Sequence, residues 1–291
     1  MQIITRQSKI EDIPALRHIW RSVFGGGSEE KLFFSHYSDP KNCILIESNN
    51  NPASMGYLLP AGNITNGADS IPCAMIFALA TLPEHRSKGY ASEIVKSLVR
   101  TSHNRGYSAI ILCPSDDSLF EYYVRNTEFQ EMFYIHEKVI SNIPTYDTRI
   151  ELSETTPENY NEMRKNLLRD IPYIDMDIQG IKYQYQLSRL FRGGMFIYEC
   201  SNFSACAVVE RISDESVFIK ELLVSQSFES NILSAIAASF PATKYILRTP
   251  VYNKLIPMPG VRRFGMIAAS GDVLALLKSS SAFPWYGLAF D

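Results

Sequence analysis

The apolar positions between residues 74 and 106 follow two different periods in immediate succession. Residues 74–82 form a continuous apolar run that Pro83 closes, which is typical of a strand buried on both faces. From about Gly89 onward the apolar residues recur at helical spacing, at Ala91, Ile94, Val95, Leu98 and Val99. Gly106 is a helix stop signal. The pattern predicts a buried central strand, a short loop and an amphipathic helix.

The loop between this strand and helix has the chemistry of an anion-binding site. Residues 86–91 read Arg-Ser-Lys-Gly-Tyr-Ala. Small residues at Gly89 and Ala91 let backbone N–H groups converge at a helix N-terminus, where unpaired donors and the helix dipole favour a phosphate. Arg86 and Lys88 add positive charge. We interpret the loop as a phosphate cradle, the alternative being an ordinary strand-turn-helix without a ligand.

Residues 79–91, Leu-Ala-Thr-Leu-Pro-Glu-His-Arg-Ser-Lys-Gly-Tyr-Ala, resemble the acyl-CoA-binding motif of the GNAT (acetyl-CoA-dependent N-acetyltransferase) superfamily. The likeness continues through a predicted strand at 109–113 and a predicted helix at 118–129. It implies an α/β (α+β) fold with a mixed, mostly antiparallel central sheet flanked by helices, and acetyl-CoA as acyl donor without a metal. The cofactor-binding residues that it implies are Leu79, Ala80, Thr81, Arg86, Ser87, Lys88, Gly89, Tyr90, Ala91 and Ser92.

Before the central strand, the pattern predicts a first strand at residues 2–6. A capping box formed by Ser8 and Glu11 then opens a helix that ends at Phe24. The triple glycine that follows is interpreted as a mobile connection, because it follows a helix and a phosphate loop would follow a strand. The remaining predicted elements are a helix at 28–37, strands at 43–48 and 53–59, and a turn at Asn66-Gly67.

The second half repeats this order of elements, offset by roughly 140 to 150 residues. Its predicted elements are helices from Thr156 and at 178–191, strands at 196–200, 205–212 and 217–224, a helix at 229–240 and a strand at 245–247. Residues 217–224 stand where the central strand stood, but residues 225–230 contain neither glycine nor paired basic residues. We predict two tandem GNAT-like domains: a catalytic, acetyl-CoA-binding domain at 1–145 and a degenerate domain with a C-terminal tail at 146–291.

This tandem arrangement resembles the enhanced-intracellular-survival type of acetyltransferase, whose additional C-terminal domain this chain is too short to contain. In that type the last carboxylate of the chain can enter the first domain's active site and serve as the base, which implies Asp291 here. The tail, residues 283–291, reads Phe-Pro-Trp-Tyr-Gly-Leu-Ala-Phe-Asp and is expected to be buried. The alternative is that it packs on the second domain without a catalytic role.

Acyl transfer from a thioester to an amine needs a neutral amine, a donor for the developing oxyanion and an acid for the departing thiolate. The resemblance implies a backbone N–H near residues 79–81 as the oxyanion donor. It implies an acid in residues 118–129, whose ending resembles the family's Tyr-x-x-x-Gly-Phe: Tyr123, with Tyr122 as second choice. A tyrosine pKa near 10 keeps the hydroxyl protonated at pH 7. Adjacent helix residues point about 100° apart, so only one tyrosine can face the thiolate.

Two departures from the family pattern stand in this helix. Glu128 replaces the usual glycine, and Tyr123 lies six residues before Phe129 where the family has five. The alternative is therefore that both tyrosines only pack. The identity of the general base is also open, because residues 74–82 contain no ionisable side chain. The candidates are Glu47, Glu121 and Asp291, or a base that acts through water. Two histidines lie beside the loop and the helix, His85 and His103, and both are interpreted as surface residues.

Composition bounds the remaining possibilities. The chain has 291 residues, 46% of them hydrophobic, with no apolar run long enough to span a bilayer and no signal-peptide core, so we expect a cytoplasmic protein without a membrane partner. The cysteines lack metal-ligand spacing and are interpreted as buried small hydrophobes: Cys43, Cys73, Cys113, Cys200 and Cys206. A net charge of -3 gives no basic surface for nucleic acid and weakly favours a cationic acceptor.

Three functions follow from these observations. The favoured one is an N-acetyltransferase that moves an acetyl group from acetyl-CoA to a primary amine of a small molecule or peptide. The second is a non-catalytic acyl-CoA-binding or regulatory protein, suggested by the altered tyrosine spacing and the missing strand glutamate. The third is a tandem transferase with another activated donor, such as an aminoacyl-tRNA or a long-chain acyl-CoA; the lack of a basic arm disfavours the tRNA.

Overall fold

The computed structural model describes residues 2–145, 150–255 and 258–290, with only the backbone described at Gln226. The helices are α1 Ile13–Phe24, α2 Ser28–His36, α3 Tyr90–Asn104, α4 Asp117–Asn126, α5 Pro157–Leu168, α6 Ile178–Leu190, α7 Glu229–Ser239 and α8 Gly271–Ser279. The strands are β1 Ile3–Gln7, β2 Cys43–Ser48, β3 Asn51–Asn66, β4 Asp69–Thr81, β5 Ala109–Leu112, β6 Gln130–Ser141, β7 Ser153–Glu154, β8 Tyr173–Asp175, β9 Gly194–Glu199, β10 Ser204–Arg211, β11 Ser216–Leu223, β12 Lys244–Thr249 and β13 Val261–Ala269.

The strands form one mixed sheet in the order β1-β2-β3-β4-β5-β13-β6-β12-β11-β10-β9-β7, with β8 added to β3. The parallel neighbours in this order are β4 with β5 and β11 with β12. Helices α1, α2, α5 and α6 contribute to a core on one face of the sheet, whereas α3 and α4 form a separate core with the other face of the first-half strands. This confirms the mixed, mostly antiparallel α/β fold that the resemblance implied.

The two halves of the chain share strands. Strand β13, from the second half, lies between β5 and β6 and pairs antiparallel with both. Strand β6, from the first half, pairs in turn with β12 of the second half. The sheet therefore continues across the predicted domain boundary at residue 145. The division of the chain into two domains stays a prediction.

The central strands of the two halves have the same irregular geometry. Strand β4 pairs with β5 over three residue pairs, and β11 pairs with β12 over four. Each central strand also shows a register shift against its antiparallel neighbour, opposite Gly56 on β3 and between Val208 and Val209 on β10. In β11 the extra residue is Lys220, which is buried. This recurrence supports the internal duplication. In the second half, the buried Lys220 occupies the position where a gap for a ligand would have to open.

Two local predictions were wrong. The capping box shifts by one residue: the Lys9 N–H donates to Asp12 Oδ2 (2.7 Å), the Ser8 hydroxyl donates to the Pro40 carbonyl (2.9 Å), and α1 begins only at Ile13. Cys200 is exposed, and backbone N–H groups lower the pKa of its thiol. It lies in the turn directly after β9, on the surface, so no core surrounds its side chain.

The tail is buried, as its aromatic composition predicted. Trp285 exchanges backbone hydrogen bonds with the β8 segment, donating to Pro172 O (2.8 Å) and accepting from Ile174 N (2.9 Å). The amide of Gln184 on α6 donates to the carbonyls of the two residues before Phe290, at 3.2 and 3.1 Å. The Phe290 ring then packs edge-on against Phe77 of β4, with centroids 5.3 Å apart. The tail thus contacts both halves and ends its described course beside the central strand.

Candidate active site

A cavity of about 250 Å³ opens where β4 and β5 stop pairing. The two strands are in register only over residues 73–75 and 109–111, and the following residues of both strands line the gap between them. The wall consists of Trp20, Phe24, Glu29, Ile76, Phe77, Ala78, Leu79, Leu112, Cys113, Pro114, Ser115, Leu119, Tyr123 and Phe290. Helix α1, the start of α2, the helix α4 and the tail therefore meet at the splayed end of the central strand.

A bulge in β4 lies at this cavity. Ala78 has a φ of 50°, and Ala78 and Leu79 together oppose the single residue Gly56 of β3. Ala80 and Thr81 return to the ladder, and the Ser54 hydroxyl donates to the Ala80 carbonyl (2.8 Å). Of the three residues expected to offer an oxyanion donor, Leu79 is the one that lines the cavity.

The predicted phosphate cradle lies at the N-terminus of α3. Ser87 and Gly89 both have left-handed backbone, with φ of 60° and 79°, and Gly89 directly precedes the helix. A Cβ on Gly89 would have no atom within 4 Å, so the space in front of it is open. The first N–H groups of a helix have no partner inside it, and here they include those of Ala91 and Ser92. The donor set and the open approach fit a phosphate-bearing group.

The side chains of the cradle are arranged around this open backbone. Arg86 Nε donates to the Thr81 carbonyl (3.3 Å) and Lys88 Nζ to the Glu84 carbonyl (3.1 Å), so both cations lie against the loop. The Tyr90 ring is buried in the core beneath α3. Tyr90 therefore anchors the helix start with its ring and offers only its backbone to a ligand.

Tyr122 and Tyr123 face different neighbours. Tyr123 is 7% exposed and lines the cavity, while the Tyr122 hydroxyl lies 2.6 Å from Ser92 Oγ on α3. Burial, with a smaller contribution from Tyr122, raises the pKa of Tyr123 above its ordinary value. The longer Tyr-to-Phe spacing is taken up by Thr127, whose N–H (3.0 Å) and hydroxyl (2.6 Å) both donate to the Tyr123 carbonyl as α4 ends.

Two of the candidate bases lie away from the cavity wall. Glu47 pairs with Arg6 at the β1–β2 edge, and Glu121 is exposed and pairs with Arg125 and Arg263. Asp291 lies outside the described residues; its neighbour Phe290 lines the cavity. Sequence reasoning missed Glu29, an exposed carboxylate in the first turn of α2 that lines the cavity. Its signal was its position in the first turn of α2, with one residue between it and the triple glycine.

Within residues 2–145, 150–255 and 258–290, no group of three or more His, Cys, Asp or Glu side chains could hold a metal ion. No helix in the same ranges combines the length and the apolar character needed to cross a membrane.

Comparisons with known proteins were made for sequence and for fold. Residues 5–126 match the family model described as an acetyltransferase (GNAT) domain. None of the curated proteins compared matches this sequence. A GCN5-related N-acetyltransferase from Anabaena variabilis is 16% identical with a TM-score of 0.70, covering 92% of this chain and 73% of that one. A GCN5-related N-acetyltransferase from Kribbella flavida is 11% identical with a TM-score of 0.67, covering 92% and 71%.

Eis1 from Mycobacterium abscessus shares the fold over nearly the whole chain. It is 12% identical with a TM-score of 0.63, and the match covers 96% of this chain and 76% of Eis1. At these identities the solved structures show the fold alone. Residues 5–126 are similar to a GNAT acetyltransferase domain, and the chain shares the fold of the solved acetyltransferases.

Proposed function

We propose that this protein transfers an acetyl group from acetyl-CoA to a primary amine of a small molecule or peptide. The observation that carries the proposal is the cavity at the β4–β5 gap. Leu79 of the β4 bulge and the buried side chain of Tyr123 both line it. The open N-terminus of α3 follows β4 directly in the chain. The tandem division at residue 145 and the cytoplasmic location remain predictions from the sequence.

The chain has residues suited to holding the donor. The N–H groups of residues 89–92 at the start of α3 would bind its phosphates, with Arg86 and Lys88 adding positive charge. The gap between β4 and β5 would receive its thioester arm. When bound, acetyl-CoA supplies a thioester carbonyl for the amine and a thiolate as leaving group.

Each step of the transfer then falls to a named group of the chain. The Leu79 N–H, at the bulge, donates to the carbonyl oxygen as negative charge develops on it. Tyr123 donates its hydroxyl proton to the departing sulfur as the C–S bond breaks and the C–N bond forms. A carboxylate takes the proton that the amine loses, which balances the reaction.

We propose Asp291 as the source of that carboxylate, because Phe290 brings the chain to the cavity wall. Asp291→Asn should lower kcat by about 10²-fold, the lower range for a lost general base, while acetyl-CoA affinity stays unchanged. A variant in which two glycines follow Asp291 tests the main-chain carboxylate in the same way. Unchanged kcat and an unchanged pH profile in both variants would remove Asp291 from the mechanism.

Gly89→Glu should weaken acetyl-CoA binding by at least about tenfold, equivalent to about 1.4 kcal/mol. The new carboxylate projects into the open space before α3, where it competes with the phosphates for the same N–H donors. Isothermal titration with acetyl-CoA measures the loss directly.

The chain offers a matched control at the other end of the same helix. Gly106 also has a left-handed φ, 82°, and open space around its Cβ position. Gly106→Glu therefore carries comparable backbone strain, of the order of 1 kcal/mol, without approaching the cradle. Equal binding losses in the two variants would assign the effect to strain in α3 and would show that the phosphate site lies elsewhere.

A further inference from the structure

A second cavity, of about 160 Å³, adjoins the first. The two share Trp20, Phe24 and Glu29, and the second is completed by the start of the α1–α2 connection and by the end of α6, at Leu190 and Phe191. Because they share these residues, we treat the two cavities as one groove, from the α1–α2 connection and the end of α6 to the β4–β5 gap. We call this the acceptor groove.

The outer end of the acceptor groove, at Phe24 and Leu190, is apolar, whereas the surface of a globular protein is usually polar at such exposed positions. Phe24 is 49% exposed and Leu190 is 44% exposed, although both are large hydrophobic side chains. The Phe24 ring packs edge-on against Trp20, with centroids 5.1 Å apart. Exposed apolar side chains grouped at a concave site are a feature of surfaces that bind an apolar partner. Farther in, Phe77 and Phe290 continue the aromatic wall.

In the part of the chain that the structure describes, the groove takes its uncompensated charge from Glu29. Glu30 also lines it, but Arg17 and Arg21 each donate to Glu30 at 2.7 Å and offset its charge. Glu29 is exposed, and over residues 2–145, 150–255 and 258–290 it has no ion-pair or hydrogen-bond partner. Glu29 adds to the effect of burial in raising the pKa of Tyr183, whose ring lies 4.6 Å from that of Phe290 on the groove wall.

We infer that the acceptor is a primary amine with a single positive charge on an aromatic or similarly flat apolar body, and that Glu29 selects it by pairing with its ammonium form. This inference rests on the proposed function. The described residues that line the groove supply one uncompensated carboxylate, Glu29, among aromatic rings, and Asp291 is assigned to the chemical step, whereas a polycationic acceptor would need several carboxylates free to pair with it. The bound ammonium gives up one proton to solvent before attack, and Asp291 takes the second proton as the C–N bond forms, so Glu29 acts in binding and Asp291 in the chemical step.

The test compares two acceptors, 2-phenylethylamine and spermidine, by measuring release of free CoA thiol from acetyl-CoA. We expect kcat/KM for 2-phenylethylamine to exceed that for spermidine by at least about tenfold. Glu29→Gln should raise KM for 2-phenylethylamine by about tenfold, as for a lost charge-assisted hydrogen bond, with kcat and acetyl-CoA affinity unchanged. Phe24→Ser should reduce the preference for the aromatic amine, and its half-exposed position leaves the core intact.

Glu11→Gln is the matched control, because Glu11 is an exposed carboxylate outside both cavities. A preference for spermidine, or an equal KM in Glu29→Gln and Glu11→Gln, with acetyl-CoA binding intact, would overturn the acceptor class and leave the proposed function standing. A kcat loss in Glu29→Gln without a KM change would move Glu29 into the chemical step and likewise overturn this role. Absence of acetyl-CoA binding by the unaltered protein would overturn both proposals.

Discussion

Tyr123→Phe should lower kcat by about 10²- to 10⁴-fold, the range for loss of a general acid, while the affinity for acetyl-CoA stays unchanged. The substitution removes one hydroxyl and keeps the ring, so the packing of Tyr123 against Phe129, with centroids 6.2 Å apart, survives. What is lost is the proton for the departing thiolate. Single-turnover kinetics with saturating acetyl-CoA would measure the chemical step without interference from product release.

Tyr122→Phe is the matched control on the same turn of helix. It loses the 2.6 Å contact with Ser92 and leaves the cavity wall unaltered, so kcat should stay within about threefold, as for a substitution outside the acid–base step. Comparable losses in the two variants would mean that neither hydroxyl is the acid and that both tyrosines only pack.

The pH profile separates an acid from a packing residue. Burial raises the pKa of Tyr123 above the ordinary tyrosine value of about 10, so its protonated form, the one that donates, persists to higher pH. If Tyr123 is the acid, kcat should show no decline from its ionisation below about pH 10, and any decline above that pH should vanish in Tyr123→Phe. A limb that persists in the variant belongs to another group.

The central strand, the loop and α3 could be predicted from the sequence because their signals are local. The continuous apolar run ends at a proline, and the change to helical spacing begins at a glycine, which the structure places in the left-handed conformation directly before α3. Each signal depends on residues within a few positions of one another. The 100° angle between neighbouring helix positions indicated that only one of the two tyrosines faces the cavity, while the choice of Tyr123 came from the resemblance.

The rest of the site depends on contacts that sequence spacing does not encode. Strand β13 enters the sheet between β5 and β6, more than a hundred residues away in the chain, and its place is determined by pairing partners alone. In the sequence, Glu29 cannot be distinguished from other surface carboxylates. It becomes part of a cavity only because Phe290, from the far end of the chain, lines the same cavity. Local patterns give no register for such distant neighbours.

The tail is held in place by a buried polar cluster centred on Glu221 of β11. Its carboxylate accepts hydrogen bonds from Tyr160 (2.7 Å), from Arg164 Nε (2.9 Å) and from the Trp285 indole N–H (2.6 Å), and all four side chains are at most 1% exposed. Arg164 also donates to the Ile174 carbonyl at 2.8 Å. A buried ion pair of this kind is costly to break from one side, because the remaining charge has no solvent to replace its partner.

Glu221→Gln should therefore lower the free energy of unfolding by about 3–5 kcal/mol, as when one partner of a buried ion pair is removed. The amide keeps the size of the carboxylate but leaves Arg164 charged without its counter-ion, and its NH2 group faces other donors. Urea unfolding followed by tryptophan fluorescence measures the loss, and it reports on Trp285 itself. Glu162→Gln, at an exposed position of α5, is the matched control and should change stability by less than about 0.5 kcal/mol.

Trp285→Phe tests whether this cluster also serves the active site. It removes the indole N–H and leaves Glu221 Oε1 with only the longer hydrogen bond from Arg164 Nε (3.2 Å), which should cost about 1–3 kcal/mol. Because Trp285 holds the segment that delivers Phe290 to the cavity, kcat should fall in conditions where the variant is fully folded. If kcat is unchanged there, the cluster stabilises the fold without positioning the tail, and the carboxylate that accepts the amine proton must be sought outside the tail.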